Sequence, residues 1–238
     1  MGINISALNK KETIELINNW VAGEKQRMIV TVNPEFLVLA KSHQQFLNVL
    51  QTADLATCDG FGLMLAGLFL EGAKVPRVTG SDLSLELLSQ NNCKLFLLGS
   101  TDDVLKRLNK KFAQHNISGY CSGGVIDDNY QLPQQDQIIE QIKASGANLL
   151  LTAFGQIKQE IWIKKNLDRM PNIKVAIGVG GTFDFLSGQI KRAPKLMRQL
   201  GLEWLYRLII QPSRILRIWR ATAVFGYLVI KEKIKLFK

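Results

Sequence analysis

The sequence is poor in the residues from which disulfide frameworks and zinc sites are built. Its 238 residues include three cysteines, Cys58, Cys93 and Cys121, and only two histidines, His43 and His115. The cysteines are scattered, odd in number and without a CxxC pair, which argues against disulfides and is typical of a reducing compartment. With no paired His/Cys spacing, no zinc site is expected.

Short motifs of several enzyme classes are also missing. The chain has no GxxxxGK[ST], which excludes a P-loop nucleotide site, and no GxSxG, which removes the main support for an α/β-hydrolase. The run Gly178-Val-Gly180-Gly181 is not a GxGxxG opening a helix, so a nicotinamide-dependent oxidoreductase lacks its fingerprint. The N-terminus carries early charges and no long apolar run, so no signal peptide is expected.

The net charge of +10 is concentrated at one end of the chain. Residues 1–190 contain 18 Lys/Arg and 18 Asp/Glu, whereas residues 191–238 contain 12 Lys/Arg and two Glu. We therefore predict a neutral core (1–190) followed by a basic tail (191–238). Such a tail favours an anionic partner: a phospholipid surface, a nucleic acid or a phosphorylated ligand.

Short apolar runs alternate with amphipathic segments every 25–35 residues. Strands are predicted at 28–32, 54–58, 94–98, 117–121, 148–153 and 173–179. Helices are predicted at 10–22, 34–43, 63–70, 81–90, 134–144 and 158–167, with another after Ser100, which is spaced with Asp103 like a capping box. This pattern predicts an α/β fold, a Rossmann-like, mostly parallel sheet with helices on both faces, plus a helical C-terminal appendage.

Ligands of such sheets bind beyond the carboxyl ends of the strands, so the polar residues there are the candidates. They are Thr31, Asn33, Asp59, Gln159, Gly180, Gly181 and Asp184. Asp59 directly follows a strand and is suited to accept a proton from a hydroxyl, although an Asp there also caps helices. Asn33, in Asn33-Pro-Glu, is equally a good helix cap. The glycines allow a phosphate to approach the backbone.

Arg77 lies in a loop after Pro76. Its planar guanidinium is suited to grip a diphosphate, although a surface arginine is the more ordinary role.

Seven motifs in one order resemble a known family. They are Thr31-Val-Asn33-Pro-Glu35, Ala53-Asp54 to Cys58-Asp59-Gly60, Pro76-Arg77-Val-Thr-Gly80-Ser-Asp82, Gly155-x-x-Lys158-Gln159-Glu160-x-Trp162, Gly178-Val-Gly-Gly-Thr182-Phe-Asp184-Phe-x-x-Gly188, Lys191-Arg-Ala-Pro194-Lys-x-Met197 and Gly201-Leu-Glu-Trp204-Leu-Tyr-Arg207-Leu. Over residues 3–220 the chain resembles the WecG/TagA/CpsF family of bacterial glycosyltransferases. Ile157 departs from the family's usual Pro.

The resemblance implies an inverting transfer from a UDP-sugar, without metal or cofactor, in cell-surface polysaccharide or teichoic acid biosynthesis. TagA-like members use UDP-N-acetylmannosamine and an undecaprenyl-diphosphate-linked N-acetylglucosamine acceptor. The resemblance makes Asp59 the general base and implicates Thr31, Asn33, Arg77 and Gln159 in the active site. It assigns the acceptor's diphosphate to Arg207, Arg214 and Arg217.

The tail has an amphipathic first part and an apolar centre. Trp204, Leu205, Leu208 and Ile209 form a stripe, and Pro212 interrupts the helix. The apolar centre, residues 221–230, is about half the length needed to span a bilayer, and lysines close the chain. We therefore expect the tail to lie in an anionic membrane interface, which places the protein on the cytoplasmic face of the cell membrane. The alternative is a helix packed on its own core or on a second subunit of a homo-oligomer.

Other functions remain open at this point. A nucleic-acid-binding protein is suggested by the basic tail, but the neutral core and the absence of a helix-turn-helix or RNP pattern oppose it, so no nucleic acid partner is expected. A non-catalytic partner of another glycosyltransferase is a further alternative. Asp59, Arg77 and Gln159 argue instead for an active enzyme.

Overall fold

A computed structural model describes residues 2–236 and shows one six-stranded sheet. The strands are β1 (Arg27–Val32), β2 (Leu55–Cys58), β3 (Leu95–Gly99), β4 (Ile117–Cys121), β5 (Leu149–Ala153) and β6 (Val175–Gly178). All are parallel, in the order β2-β1-β6-β5-β3-β4. The predicted α/β fold and the six predicted strands are confirmed.

Helices connect the strands and form most of the C-terminal region. They are α1 (Lys10–Val21), α2 (Pro34–Ala40), α3 (Gln44–Thr52), α4 (Phe61–Glu71), α5 (Gly80–Leu88), α6 (Asp102–Lys111), α7 (Gln135–Ala144), α8 (Lys158–Asn166), α9 (Thr182–Leu186), α10 (Lys195–Gln199), α11 (Glu203–Ile210), α12 (Ile215–Trp219) and α13 (Phe225–Leu236). Leu167–Arg169 and Pro212–Arg214 are 3-10 turns, and Arg220–Val224 is a π-helical turn.

The sheet separates two clusters of buried apolar side chains. Helices α2, α3, α7 and α8 cover one face, and α1, α5, α6 and α9 cover the other. Side chains alternate between the faces along each strand, so Phe96 and Leu98 of β3 enter one cluster while Leu95 and Leu97 enter the other. Burial on both faces explains why five of the strands are mostly apolar, whereas the edge strand β4 is only partly buried and contains Ser118 and Gly119.

Two local predictions were wrong. The helix predicted to run through His43 ends at Ala40, and His43 instead caps α3, its Nδ1 accepting the Phe46 N–H at 3.2 Å. Ser100 does not cap α6. The N-cap of α6 is Thr101, whose side chain accepts the Val104 N–H. Ser100 precedes the cap with a φ of 63°, and the Ser100 hydroxyl donates to Asp184 Oδ1 at 3.1 Å.

The C-terminal helical segment, residues 195–236, is here called the appendage. It packs one side on α2 and α4, with Phe225 buried in the core cluster. Its other side exposes apolar side chains, among them Leu216 (66% exposed) and Trp219 (61% exposed). No helix within residues 2–236 is long and apolar enough to cross a membrane. Lys238, predicted to belong to the basic end, lies outside the described residues, and the boundary at residue 190 stays a prediction.

Candidate active site

The sheet topology creates a crevice at the carboxyl ends of β1 and β6. These strands are neighbours, but the chain leaves β1 toward α2 on one face and leaves β6 toward α9 on the other. Loops therefore diverge there and leave room for a ligand.

A small polar cavity of about 90 Å³ fills the crevice. Its lining includes Thr31, Asn33, Asp59, Gln156, Gln159, Gly180, Gly181, Arg207, Arg214 and Arg217.

A second, much larger cavity opens beside the first. It has a volume of about 1150 Å³ and shares Asn33, Asp59 and the appendage arginines with the small one. Its far wall is apolar and is formed by α4 and the appendage, including Phe61, Leu65, Leu68, Phe69, Trp204, Ile218, Phe225, Val229 and Ile230. The two cavities thus meet at Asp59, and the larger one passes from a charged end to an apolar end.

Asp59 is held rigidly where β2 ends. Its N–H donates to Val32 O at 2.7 Å, and its Oδ2 accepts the Gly80 N–H at 3.0 Å. Gly60 then turns the chain away at a φ of 140°, which glycine adopts readily. Burial raises the pKa of Asp59 to about 6, against the Gly80 hydrogen bond and the nearby Arg207 and Arg77, which lower it. A carboxyl group with this pKa suits proton transfer near neutral pH.

Arg77 lies near Asp59 because its segment pairs with the end of β2 at the edge of the sheet. The residue forms a parallel bridge with Cys58, and the following Val78 N–H donates to Cys58 O at 2.8 Å. Its guanidinium donates to Glu203 Oε2 at 3.1 Å and to Arg198 O at 3.0 Å. The loop arginine is therefore joined to the appendage.

Two further appendage arginines reach the crevice. Arg217 binds Glu35 at 3.0 Å and Gln156 Oε1 at 3.0 Å. A Cβ atom built on Gly181 would lie 3.7 Å from an Arg214 nitrogen, which places Arg214 beside the glycine turn. Burial and the neighbouring guanidinium groups of Arg217 and Arg207 lower the pKa of Arg214. The appendage thus completes both cavities.

Gln159 is fixed between the glycine turn and a buried carboxyl group. Its Oε1 accepts the Gly180 N–H at 3.0 Å, and its Nε2 donates to Glu160 Oε1 at 2.5 Å. Burial raises the pKa of Glu160 to about 7, against hydrogen bonds from the Gln159 side chain and from the Glu160 and Ile157 N–H groups, which lower it. A Cβ at Gly178 would lie 2.6 Å from Glu160 Oε1, so only glycine fits there. The Gly180 N–H is consequently engaged within the protein and does not face the cavity as a free donor.

The remaining predicted residues divide into two groups. Thr31 and Asn33 line the small cavity, while also bonding internally: the Thr31 hydroxyl donates to Gly178 O, and Asn33 caps α2 through the Phe36 N–H. Asp184 is not among the lining residues of either cavity. Its Oδ1 accepts the Ser100 hydroxyl, and its Oδ2 would lie 3.7 Å from a Cβ built on Gly181, as the Arg214 nitrogen does.

Sequence reasoning missed three charged residues that organise the site. Glu35 is 4% exposed and pairs with Arg217, and Glu203 pairs with Arg77 and Arg207. The third residue, Arg192, has its Nε 3.8 Å from Glu203 Oε1. The available signal for Glu203 was its place as one of two acidic residues in the basic segment 191–238. Glu35 stands among apolar residues, and a carboxylate buried there needs a cationic partner. Within the described residues, no group of three or more His, Cys, Asp or Glu side chains is arranged to hold a metal ion.

The fold and the site define a Rossmann-like α/β protein with a ligand crevice at the carboxyl edge of its sheet, completed by a basic helical appendage. The family model "Glycosyl transferase WecG/TagA/CpsF family" matches residues 1–238. The chain belongs to this family, which confirms the predicted resemblance.

Relatives of known function cover the chain fully. The N-acetylglucosaminyldiphosphoundecaprenol N-acetyl-beta-D-mannosaminyltransferases of Staphylococcus aureus strains NCTC 8325 / PS 47 and COL are each 30% identical over 245 residues. The alignment spans 100% of this chain and 94% of each relative.

Proposed function

We propose that the protein transfers N-acetylmannosamine from its UDP-sugar to a hydroxyl of N-acetylglucosamine carried on a polyprenyl diphosphate. The observation that carries this proposal is the position of Asp59 at the junction of a small polar cavity and a large cavity with an apolar wall. A sugar transfer needs two ligands to meet at one base, and only the acceptor has a long apolar part. The names of the staphylococcal relatives support the sugar and the acceptor.

In the proposed reaction, the acceptor hydroxyl attacks the anomeric carbon of the donor sugar. The new carbon–oxygen bond forms as the bond to the β-phosphate oxygen of UDP breaks, and the hydroxyl proton passes to Asp59. Attack from the face opposite the departing UDP inverts the anomeric configuration. Ionised Asp59 is the available base, since its pKa of about 6 leaves it mostly deprotonated at neutral pH.

The leaving UDP gains negative charge. We propose that Arg214 and Arg217, which the resemblance assigns to the acceptor's diphosphate, instead stabilise this charge in the small cavity. Arg214 lies beside the Gly181 turn, and Arg207 and Arg217 line the same cavity. Guanidinium groups placed before the reaction stabilise developing phosphate charge without a metal ion. We therefore propose a metal-independent transfer.

We further propose that the protein works at the cytoplasmic face of the membrane. The exposed side of the appendage carries Trp219, Leu216 and Ile215, and α4 adds Leu68 and Phe69, which are about half exposed. Apolar and tryptophan side chains flanked by basic residues are suited to an anionic lipid interface. Leu68 and Phe69 also line the large cavity, so we propose that a lipid-linked acceptor enters this cavity from the membrane.

The decisive experiment offers a panel of UDP-sugars together with a short-chain, diphosphate-linked N-acetylglucosamine and measures UDP release. We expect UDP-N-acetylmannosamine to give the highest turnover, with a β-linked product by NMR and undiminished activity in EDTA. Turnover with a different sugar would overturn the donor assignment. A lack of turnover with every donor would favour the non-catalytic partner role.

A further inference from the structure

One carboxylate, that of Glu203, lies among three guanidinium groups from three separate segments. Arg77 from the core donates to Glu203 Oε2 at 3.1 Å, and Arg207 from α11 donates to Oε1 at 3.2 Å. Arg192, from the segment between core and appendage, has its Nε 3.8 Å from Oε1 and also binds Asp82 Oδ1 at 2.8 Å. We call Arg77, Arg192 and Arg207 the arginine cluster.

The arginine cluster has more donors than acceptors. The Nε–H groups of all three members are buried and lack a hydrogen-bond partner, which is unusual for buried polar groups. Each guanidinium offers five N–H donors, whereas the Glu203 carboxylate offers two oxygens. A group with several charged oxygens, such as a diphosphate, supplies the missing acceptors in the geometry that guanidinium groups favour.

The position of the cluster indicates which diphosphate it receives. All three arginines line the large cavity, at its charged end next to Asp59. Of the three, the small cavity is lined by Arg207 alone. From the cluster, the large cavity continues along the apolar wall of α4 and the appendage. A ligand with a diphosphate joined to an apolar chain matches this order of surfaces, whereas UDP has no apolar part.

We propose that Arg192 is a further binding residue for the diphosphate of the lipid-linked acceptor, and that Glu203 is a positioning residue that gathers Arg77, Arg192 and Arg207 around it. This inference rests on the proposed function, because it names a contact of the same acceptor. Glu203 prevents the three cations from separating before the ligand arrives.

The first test measures binding to the full chain by calorimetry, with farnesyl diphosphate in detergent micelles and, separately, with UDP. Arg192→Gln should weaken farnesyl diphosphate binding about tenfold or more, as expected for lost charged hydrogen bonds, and change UDP binding less than twofold. Lys191→Gln is the matched control, since it removes the same charge from an exposed neighbour and should leave both affinities unchanged.

A second variant separates binding from a merely structural role. Asp82→Asn removes the charge that pairs with Arg192 on α5 but keeps an amide oxygen that can accept from the guanidinium. It should keep the farnesyl diphosphate affinity within about twofold of wild type. If Asp82→Asn loses as much affinity as Arg192→Gln, the ion pair matters rather than the ligand contact, and the assignment of Arg192 is wrong.

Glu203 is tested through binding and through the pH profile of kcat/KM. Glu203→Gln should weaken farnesyl diphosphate binding. It should also shift the fall of kcat/KM at acidic pH to lower pH, because the Glu203 charge raises the pKa of Asp59. Glu203→Asp keeps the negative charge and should return this fall of kcat/KM to the wild-type pH. Equal or tighter binding by Glu203→Gln would show that Glu203 competes with the ligand and does not gather the cluster.

The outcomes distinguish this inference from the proposed function. If the wild-type chain binds farnesyl diphosphate and transfers sugar, but Arg192→Gln does both equally well, this inference alone is wrong. If Arg192→Gln loses affinity for UDP instead, the cluster serves the donor. If wild type transfers no sugar to the diphosphate-linked acceptor, the proposed function itself fails.

Discussion

Replacing Asp59 with Asn removes the proposed base while keeping the shape of the site. The Asn side chain can still accept the Gly80 N–H through its amide oxygen, so the loop that carries Arg77 should stay in place. The amide cannot take a proton from the acceptor hydroxyl. We expect turnover to fall by about 10²–10⁴, the usual contribution of a positioned general base.

The pH dependence of wild-type kcat/KM is an independent test of Asp59 as the base. With a pKa of about 6, Asp59 is roughly 90% ionised at pH 7 and roughly 10% ionised at pH 5, so kcat/KM should fall about tenfold between them. The Asn variant should lack this limb and show a flat residual rate. Asp128→Asn, which removes an exposed carboxylate that lines neither cavity, should keep the wild-type profile.

The raised pKa of Asp59 also predicts whether Asp59→Asn is more or less stable than wild type. The folded pKa of Asp59 lies above the ordinary value of 3.8, so the folded state binds the proton more tightly than the unfolded state. The ionised carboxylate therefore costs stability, which is lost as pH rises from about 4 to about 6. Asp59→Asn should melt at or above the wild-type midpoint at pH 7.5, and the difference should shrink at pH 4.

Two results would refute this reasoning. Turnover of Asp59→Asn within tenfold of wild type, with the variant folded, would remove Asp59 from the role of base. A wild-type kcat/KM that stays constant down to pH 5 would show that the ionisation of Asp59 is not required. Both measurements use continuous detection of UDP release at saturating donor.

Three further predictions concern packing, membrane contact and the appendage. Gly178→Ala should destabilise the fold by about 1–3 kcal/mol in thermal unfolding and abolish turnover, because the new methyl group overlaps a buried carboxylate behind the turn. A variant with Leu216→Gln and Trp219→Gln should sediment less with anionic vesicles, yet turn over a water-soluble acceptor as wild type does; unchanged sedimentation would contradict the interface proposal. Arg217→Gln should speed hydrogen exchange in α12, since it leaves the buried Glu35 with a single weaker partner at 3.9 Å; unchanged exchange would show that this ion pair does not hold the appendage.

The strands and Asp59 were predictable because they depend on local sequence. A mostly apolar run of four to six residues has few interpretations in an alternating α/β pattern, and the carboxyl ends of parallel strands meet at one edge. Asp59 therefore followed from its place directly after β2. The cap role of Asn33 was likewise predictable from the residue types alone. In the structure Asn33 both caps α2 and lines the small cavity.

The charge network was not predictable because its partners are far apart in the chain. Glu35 and Arg217 are separated by 182 positions, and Arg77 and Glu203 by 126. Nothing in either local sequence indicates that they meet. The same limit holds for Asp184: its place after β6 predicts a ligand contact, which stays a prediction. Its hydrogen bond with Ser100, 84 positions away, could not be inferred from either local sequence.

The appendage changes the chemistry of Asp59 as well as the shape of the site. Arg207, which the appendage supplies, lowers the pKa of Asp59, whereas burial raises it. An appendage held away from the core would remove this cation, and with it the Arg77–Glu203 contact. Loss of the Arg207 charge would raise the pKa of Asp59, whereas loss of the Glu203 charge and of burial would lower it. A core docked with its appendage thus keeps Asp59 buried, with a raised pKa, beside the Arg207 cation. We expect membrane contact that stabilises docking to favour catalysis where the lipid-linked acceptor is found.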